Sequence, residues 1–201
     1  MNTAVKAPSP SLFFLQQFFR DPRMVGSVIP TSRFAIRGLL DPIDWTGVRC
    51  VVEYGPGTGV FTRDLLRRLG PDARLVAIDT NALFVDYLRD SIADPRLNCA
   101  TGSAADVEDI LAGLGLRSAD FVISGLPFST LPPGIANAIM DATARAITPG
   151  GAFLIYQYSR FVLPMLQPRF DRIDQGLIWR CVPPARLFWA WKNADALSDD
   201  A

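Results

Sequence analysis

Histidine does not occur anywhere in this chain. Its absence excludes Ser-His-Asp and Cys-His catalysis and every histidine metal site, which removes most hydrolase chemistries. Cysteine is scarce: Cys50, Cys99 and Cys181 lie far apart, with no C-x-x-C pair. That spacing offers neither a zinc site nor a disulfide frame, and it reads as reduced core residues of a cytosolic protein. Excess charge is missing too. Twenty basic residues face 20 acidic ones, so the total provides no wholesale attraction to nucleic acid. No apolar run reaches the length of a membrane span, no signal-peptide cleavage pattern is present, and there are no internal repeats. What remains is a chain of 201 residues, which suits one domain burying about 70% of its unfolded-chain surface.

The most informative stretch that is present runs from Val48 to Thr62. A short apolar run ends in Glu53, and Gly55, Gly57 and Gly59 follow before an apolar pattern of helical period. This describes a strand delivering the backbone into a tight loop beneath a helix N-terminus, where nucleotide-like cofactors sit in open α/β sheets. Glycine is needed there because a Cβ blocks close approach of a ligand and disfavours positive φ. The spacing is wrong for a dinucleotide fold, whose third glycine would fall at Val60. Instead, E-x-G-x-G-x-G resembles motif I of class I S-adenosylmethionine (SAM) methyltransferases. A second acid, Asp79, ends the apolar run Leu75–Ile78, 24 residues after Gly55. An acid at the end of a second parallel strand accepts ribose hydroxyls, a contact that serves SAM and NAD alike.

Further along, Phe61, Leu65, Leu66 and Leu69 mark a helix face stopped by Gly70-Pro71. Asn81 is placed to cap a helix carrying Phe84, Val85, Leu88 and Ile92. Leu97–Ala100 reads as a weak third strand, 106–114 as a helix, and Phe121–Ile123 as a buried strand. A helix over 133–147 is expected to stop at Pro149-Gly150, with a fifth strand from Ala152 to Tyr158. A short helix over 161–166 then leads to two final runs, 173–181 and 186–192. Alternating strands and helices imply a Rossmann-like, mostly parallel α/β sheet covered on both faces. The resemblance to the methyltransferase fold implies seven strands, the last antiparallel.

The fourth strand runs into Ser124-Gly125-Leu126-Pro127-Phe128. A loop at the carboxyl end of a central strand faces the reactive end of a cofactor. Pro127 and Phe128 then either wall an acceptor pocket or form an ordinary turn with a core phenylalanine. Adenine N-methyltransferases, including the ribosomal RNA dimethylases, carry asparagine where Gly125 stands, and glycine cannot replace its hydrogen bond to an amino group. The Ser-Gly-Leu-Pro form resembles bacterial phospholipid N-methyltransferases, which methylate the amine of phosphatidylethanolamine.

The N-terminus carries the same resemblance. Residues 11–20 hold four phenylalanines and two leucines, with Gln16 and Gln17 on the opposite side. Ten residues make roughly 15 Å of helix, too short to span a bilayer. Between residues 1 and 40, Lys6, Arg20, Arg23, Arg33 and Arg37 oppose Asp21 alone, a balance of +4. Such a segment suits an anionic membrane surface, or serves as a lid on the domain, or both. Residues 1–40 are therefore expected to form a membrane-contacting or lid segment, and 41–201 the methyltransferase domain.

By resemblance, Glu53, Gly55, Gly57 and Gly59 form the methionine side of the SAM site, Thr31 and Ser32 reach its carboxylate, and Asp79 holds the ribose. Asn81 caps its helix, assists the ribose, or does both. Gly102, Ser103 and Ala104 occupy the adenine position, with Ser103 in place of a more usual aspartate. Backbone groups of Gly125 and Leu126 face the acceptor. Ser124, Tyr156 and Tyr158 are the candidate catalytic groups, though core packing is the alternative for the tyrosines. Arg160 and Arg169 are the candidates for the lipid phosphate. The implied enzyme is cytoplasmic, peripheral to the inner membrane face, and partnered by phospholipid rather than nucleic acid or metal. RNA adenine dimethylation and a silent SAM-binding membrane protein remain the rival readings.

Overall fold

Near-continuous apolar runs such as Cys50–Val52 and Leu75–Ile78 are buried along almost their whole length, as strands covered on both faces require. The computed structural model describes residues 33–180 and 184–194. Seven strands join in one sheet: β1 (Cys50–Tyr54), β2 (Arg74–Asp79), β3 (Leu97–Thr101), β4 (Ala119–Ser124), β5 (Ile147–Gln157), β6 (Arg172–Ile178) and β7 (Ala185–Trp191). Their order is β3-β2-β1-β4-β5-β7-β6. The first five strands pair in parallel, and β7 runs antiparallel between β5 and β6. The Rossmann-like α/β architecture expected from the sequence is the one observed.

Among the described residues six α-helices accompany the sheet: α1 (Arg33–Leu40), α2 (Val60–Arg68), α3 (Ala82–Ser91), α4 (Val107–Gly113), α5 (Pro133–Ala146) and α6 (Leu163–Leu166). Strand alternation divides the core into two layers. On one face Val51, Ile123, Leu154 and Tyr156 pack with residues of α1 and α2, including Leu39 and Leu65. On the other, Val52, Val122, Phe153 and Ile155 pack with Leu111 of α4 and Met140 of α5. Glu53, one residue after Val52, consequently faces α2.

Residues 33–40 are packed against the sheet. Ala35, Ile36, Leu39 and Leu40 are buried on one side of α1, and Trp189 Nε1 donates to the Leu39 carbonyl at 2.8 Å. A Cβ on Gly38 would lie 2.7 Å from Ile178 Cδ1 and 3.0 Å from Leu187 Cδ1, so a side chain here would displace both from the close contact of helix and sheet. Cys50 is buried, and burial followed by the nearby Asp120 charge pushes its thiol up to about 12, as for an inert core residue. The expected helix over 11–20, Thr31, Ser32 and Cys181 lie outside the described residues. Among the described residues no helix is long and apolar enough to cross a membrane.

One element differs from expectation. Pro149-Gly150 does not separate α5 from a strand beginning at 152; β5 begins at Ile147 directly after the helix. Between the pairs Ala119–Ile147 and Phe121–Ala152 the register shifts, and the extra residues form a bulge. Gly150 adopts φ 83°, and its N–H donates to the Lys192 carbonyl at 2.8 Å. A Cβ on Gly151 would lie 2.3 Å from the Asp120 carbonyl oxygen. Proline and glycine here build an irregular strand start rather than a break.

Candidate active site

The carboxyl ends of β1 to β5 converge on one edge of the sheet because these strands are parallel. The turn after β1 has all three of its glycines at positive φ: Gly55 at 64°, Gly57 at 54° and Gly59 at 78°. Their surroundings differ. A Cβ on Gly59 would stand 2.5 Å from Leu88 Cδ2, and one on Gly55 2.9 Å from Leu126 Cδ2, whereas one on Gly57 would meet no protein atom within 4 Å. Gly59 and Gly55 thus allow packing of the loop against α3 and the β4 loop, while Gly57 borders open space. Arg63 braces the turn from within α2, its Nη1 donating to the carbonyls of Thr58 at 2.6 Å and Gly59 at 3.1 Å.

Glu53 is 3% exposed and accepts a hydrogen bond of 2.6 Å from Thr62 Oγ1. Burial pushes its carboxyl up to about 7; hydrogen bonds from Thr62 oppose the rise, and the Asp79 charge adds to it. Asp79 ends β2, half-buried, and burial also raises its carboxyl above the ordinary range. The backbone N–H groups of Asn81 and Gly57 counter part of that rise, with the Asn81 N–H donating to Asp79 Oδ1 at 2.9 Å. Asn81 caps α3 as expected, its Oδ1 accepting from the Leu83 N–H at 3.0 Å. At the end of β3 the Gly102 N–H donates to the Asp79 carbonyl at 3.0 Å, which sets residues 102–104 beside Asp79. Ser103 Oγ accepts from the Ala105 N–H at 3.1 Å as a cap, and Ala104 is buried.

On the other side of β1 the loop after β4 places Gly125 at the surface, with open space where its Cβ would be. Three of the expected site residues are engaged within the fold. Phe128 does not wall a pocket: it is 0% exposed and packs edge-on against Phe153 in the core, ring centroids 6.3 Å apart. Ser124 is 0% exposed, with its Oγ accepting from the Leu126 N–H at 3.1 Å. It shapes the turn. Arg169 spends its guanidinium on α5 and α6, donating to Asp141 Oδ1 at 2.6 Å, the Met165 carbonyl at 2.8 Å and Asn137 Oδ1 at 3.4 Å. It is a clamp between helices.

Pro127 stays half-buried in the loop. Tyr156 and Tyr158 lie on the Glu53 side of the sheet, and their hydroxyls share a hydrogen bond. Tyr156 also packs on Phe61, while Tyr158 is the more exposed of the two. Arg160 borders a pocket beyond β5.

Two residues of this edge escape sequence reasoning. Thr62, which holds Glu53, is a polar residue within an otherwise apolar helix face of Phe61, Leu65 and Leu66, and that anomaly is its signal. Gln157 is buried at the end of β5, and its Nε2 donates to the Leu126 carbonyl, pinning the β4 loop. Nothing in the local pattern distinguishes it from a surface glutamine.

Two carboxylates flanking a glycine turn at the edge of a parallel sheet, with one antiparallel strand beyond β5, define an α/β methyltransferase. The family described as "Methyltransferase domain" matches residues 51–151, and the chain belongs to that family. Its cofactor is S-adenosyl-L-methionine, and the residues fit that group: two carboxylates suit a cationic donor, and the space beside Gly57 is one a Cβ would fill. Over 182 residues the chain is 29% identical to ornithine lipid N-methyltransferase of Singulisphaera acidiphila, spanning 88% of this chain and 93% of that one. It is 30% identical over 146 residues to a probable ribosomal RNA small subunit methyltransferase A of Methanospirillum hungatei, spanning 71% of this chain and 46% of the relative. The structure resembles N-methyltransferase NodS of Bradyrhizobium japonicum in complex with S-adenosyl-L-homocysteine, with a TM-score of 0.64, 13% identity, and coverage of 90% and 98%.

Proposed function

We propose that this methyltransferase transfers a methyl group from SAM to the amine of a membrane aminolipid. The observation that carries the reading is the match along 93% of a lipid N-methyltransferase, against 46% of the RNA enzyme. Gly125 adds to it, because an adenine amino group would find no side-chain acceptor there. Phosphatidylethanolamine is the acceptor that the Ser-Gly-Leu-Pro loop implies, its mono- and dimethyl forms following as further acceptors. Ornithine lipid is a second acceptor, favoured by the name of the relative.

When bound, SAM supplies an activated methyl on a positively charged sulfur. The protein's part is to hold the donor, align the acceptor and manage one proton. Glu53 and the turn Gly55–Gly59 hold the methionine side, Asp79 takes the ribose with Asn81 beside it, and Gly102, Ser103 and Ala104 border the adenine. Ionised Glu53 and Asp79 favour the cationic donor over its neutral product, which aids turnover. Gly125 and Leu126 present backbone groups to the acceptor, with Pro127 at their side.

A primary amine, with a pKa roughly that of lysine at 10, arrives protonated and must lose that proton before its lone pair is free. Tyr158 Oη, backed by the Tyr156 hydroxyl, positions the amine and passes the proton outward. The N-terminal phenylalanine-rich segment brings the domain to an anionic membrane surface on the cytoplasmic side.

The test is transfer of label from methyl-labelled SAM to vesicles containing phosphatidylethanolamine or ornithine lipid, with ribosomal RNA as the control. Label in either lipid and none in RNA supports the proposal. Label in RNA alone ends it.

A further inference from the structure

At the same edge of the sheet, beyond β5, lies a pocket of about 220 Å³ lined by Arg160, Gln175, Gly176, Leu177, Arg186 and Phe188. Register explains how two arginines meet there. Arg186, the second residue of β7, lies opposite Gln157, the last residue of β5, and opposite Leu177 of β6. Arg160 follows three residues after Gln157. The backbone of Arg186 therefore lies beside Gln157, which pins the β4 loop through the Leu126 carbonyl, and both arginines line the pocket. Two strand spacings, roughly 10 Å, separate β4 from β7.

Among the described residues the charge at this pocket is not compensated. Neither arginine side chain forms a hydrogen bond or ion pair with them, in contrast to Arg169 with Asp141 and Arg172 with Asp174. The acids of this region are engaged at the opposite end of β6: Asp174 also accepts from Trp191 Nε1 at 2.8 Å, and Asp171 accepts from the Asn193 N–H at 2.7 Å. No Asp or Glu occurs from 175 to 192. Two such guanidinium groups in a concave site, with a buried phenylalanine as its apolar floor, form a receptor for an oxyanion attached to an apolar body.

We propose that Arg160 and Arg186 form an oxyanion subsite that holds the headgroup phosphate or carboxylate of the acceptor while its amine lies at the β4 loop. The proposal rests on the aminolipid reading and supplies what that reading lacks, a group that selects zwitterionic lipids over simple amines. Arg186 is thereby a specificity-determining residue that the sequence pattern does not mark.

The experiment compares the full chain with its Arg160→Gln/Arg186→Gln double variant. Because neither side chain holds the fold together, the variant is expected to keep its melting temperature and its SAM affinity. Its KM for phosphatidylethanolamine vesicles is expected to rise about ten- to a hundred-fold, the scale of losing charge-assisted hydrogen bonds. Ornithine lipid vesicles are read in parallel, and a rise there extends the subsite to a carboxylate. A second readout needs no turnover. Calorimetry with glycerophosphoethanolamine in the presence of S-adenosylhomocysteine should show binding to the wild type, at least tenfold weaker binding to the variant, and none of ethanolamine to either.

Normal lipid labelling with unchanged KM in the variant overturns the subsite and leaves the lipid reaction standing. Arginine-dependent binding of glycerophosphoethanolamine by a wild type that labels no lipid overturns the reaction and leaves the subsite standing. Inorganic phosphate binding as tightly as glycerophosphoethanolamine overturns the headgroup assignment in favour of a free-anion site.

Discussion

The two halves of the strand edge are built on opposite charge. The half formed by the ends of β1, β2 and β3 carries Glu53 and Asp79, both with carboxyls raised by burial, around a turn in which Gly57 faces open space. The half beyond β4 carries Arg160 and Arg186, with no acid paired to them among the described residues, and the tyrosine pair sits at the end of β5 on the Glu53 face of the sheet. Carboxylates that share one low-dielectric site resist ionising together, and a cation relieves that conflict. Clustered arginines do the same for an anion. The proposed function assigns a cationic donor to one side and an anionic headgroup to the other, in keeping with these charges.

The halves also differ in what their loops do for the fold, and substitutions can expose that difference. The largest effect is expected from Phe128→Ala. Removing a fully buried ring that packs on Phe153 should cost about 3–5 kcal/mol of stability, measured by denaturant unfolding. If Phe128 instead served the acceptor, the variant would keep its stability and lose only lipid turnover. Next comes Gly59→Ala, where left-handed backbone and a clash with Leu88 add to about 2–4 kcal/mol. Gly57→Ala separates fold from ligand. Its Cβ meets no protein atom, so stability should fall by only about 1–2 kcal/mol for the left-handed backbone, while SAM affinity drops more than tenfold. Equal losses of stability in the two glycine variants would dissolve the distinction between them.

A smaller, pH-dependent effect follows from Glu53. Its carboxyl is raised from 4.5 to about 7, so the folded protein without ligand holds that proton more tightly than the unfolded chain. The contribution to stability is full below 4.5 and is lost as pH rises through about 7. SAM binding has the opposite slope. If the cationic donor requires the ionised carboxylate, affinity should climb up to about tenfold per pH unit below the raised value and level off above it. Glu53→Gln should flatten both profiles. An affinity independent of pH in the wild type would remove Glu53 from the donor site.

The half with the two acids is far more legible in the sequence than the half beyond β4, and the reason is physical. Glu53, the three glycines, Asp79 and Asn81 act through backbone conformation and strand ends, which local pattern encodes. Alternating apolar periods likewise encode the mostly parallel α/β sheet, whereas the strand order is seen only in the pairing. Pro149-Gly150 misleads because the same residues that end a helix also build a bulge, and only the register with β4 tells them apart. Phe128, Ser124 and Arg169 resemble site residues by chain position alone. Their partners Phe153, the Leu126 N–H and Asp141 are supplied by tertiary placement. Gln157 and Arg186 stay hidden for the same reason, since only pairing of β4 with β5 brings Gln157 to the β4 loop and only pairing of β5 with β7 brings Arg186 beside Gln157. Thr62 alone leaves a trace, as a hydroxyl on an apolar helix face.

Calorimetric titration of SAM into the wild type, Glu53→Ala and Asp79→Ala bears most directly on whether the glycine turn and its two acids hold the donor. Each variant should remain folded and bind SAM at least about a hundred-fold more weakly, the scale of removing a charge-assisted hydrogen bond from a buried site. Wild-type affinity in both variants would contradict the assignment of that half of the edge to the donor.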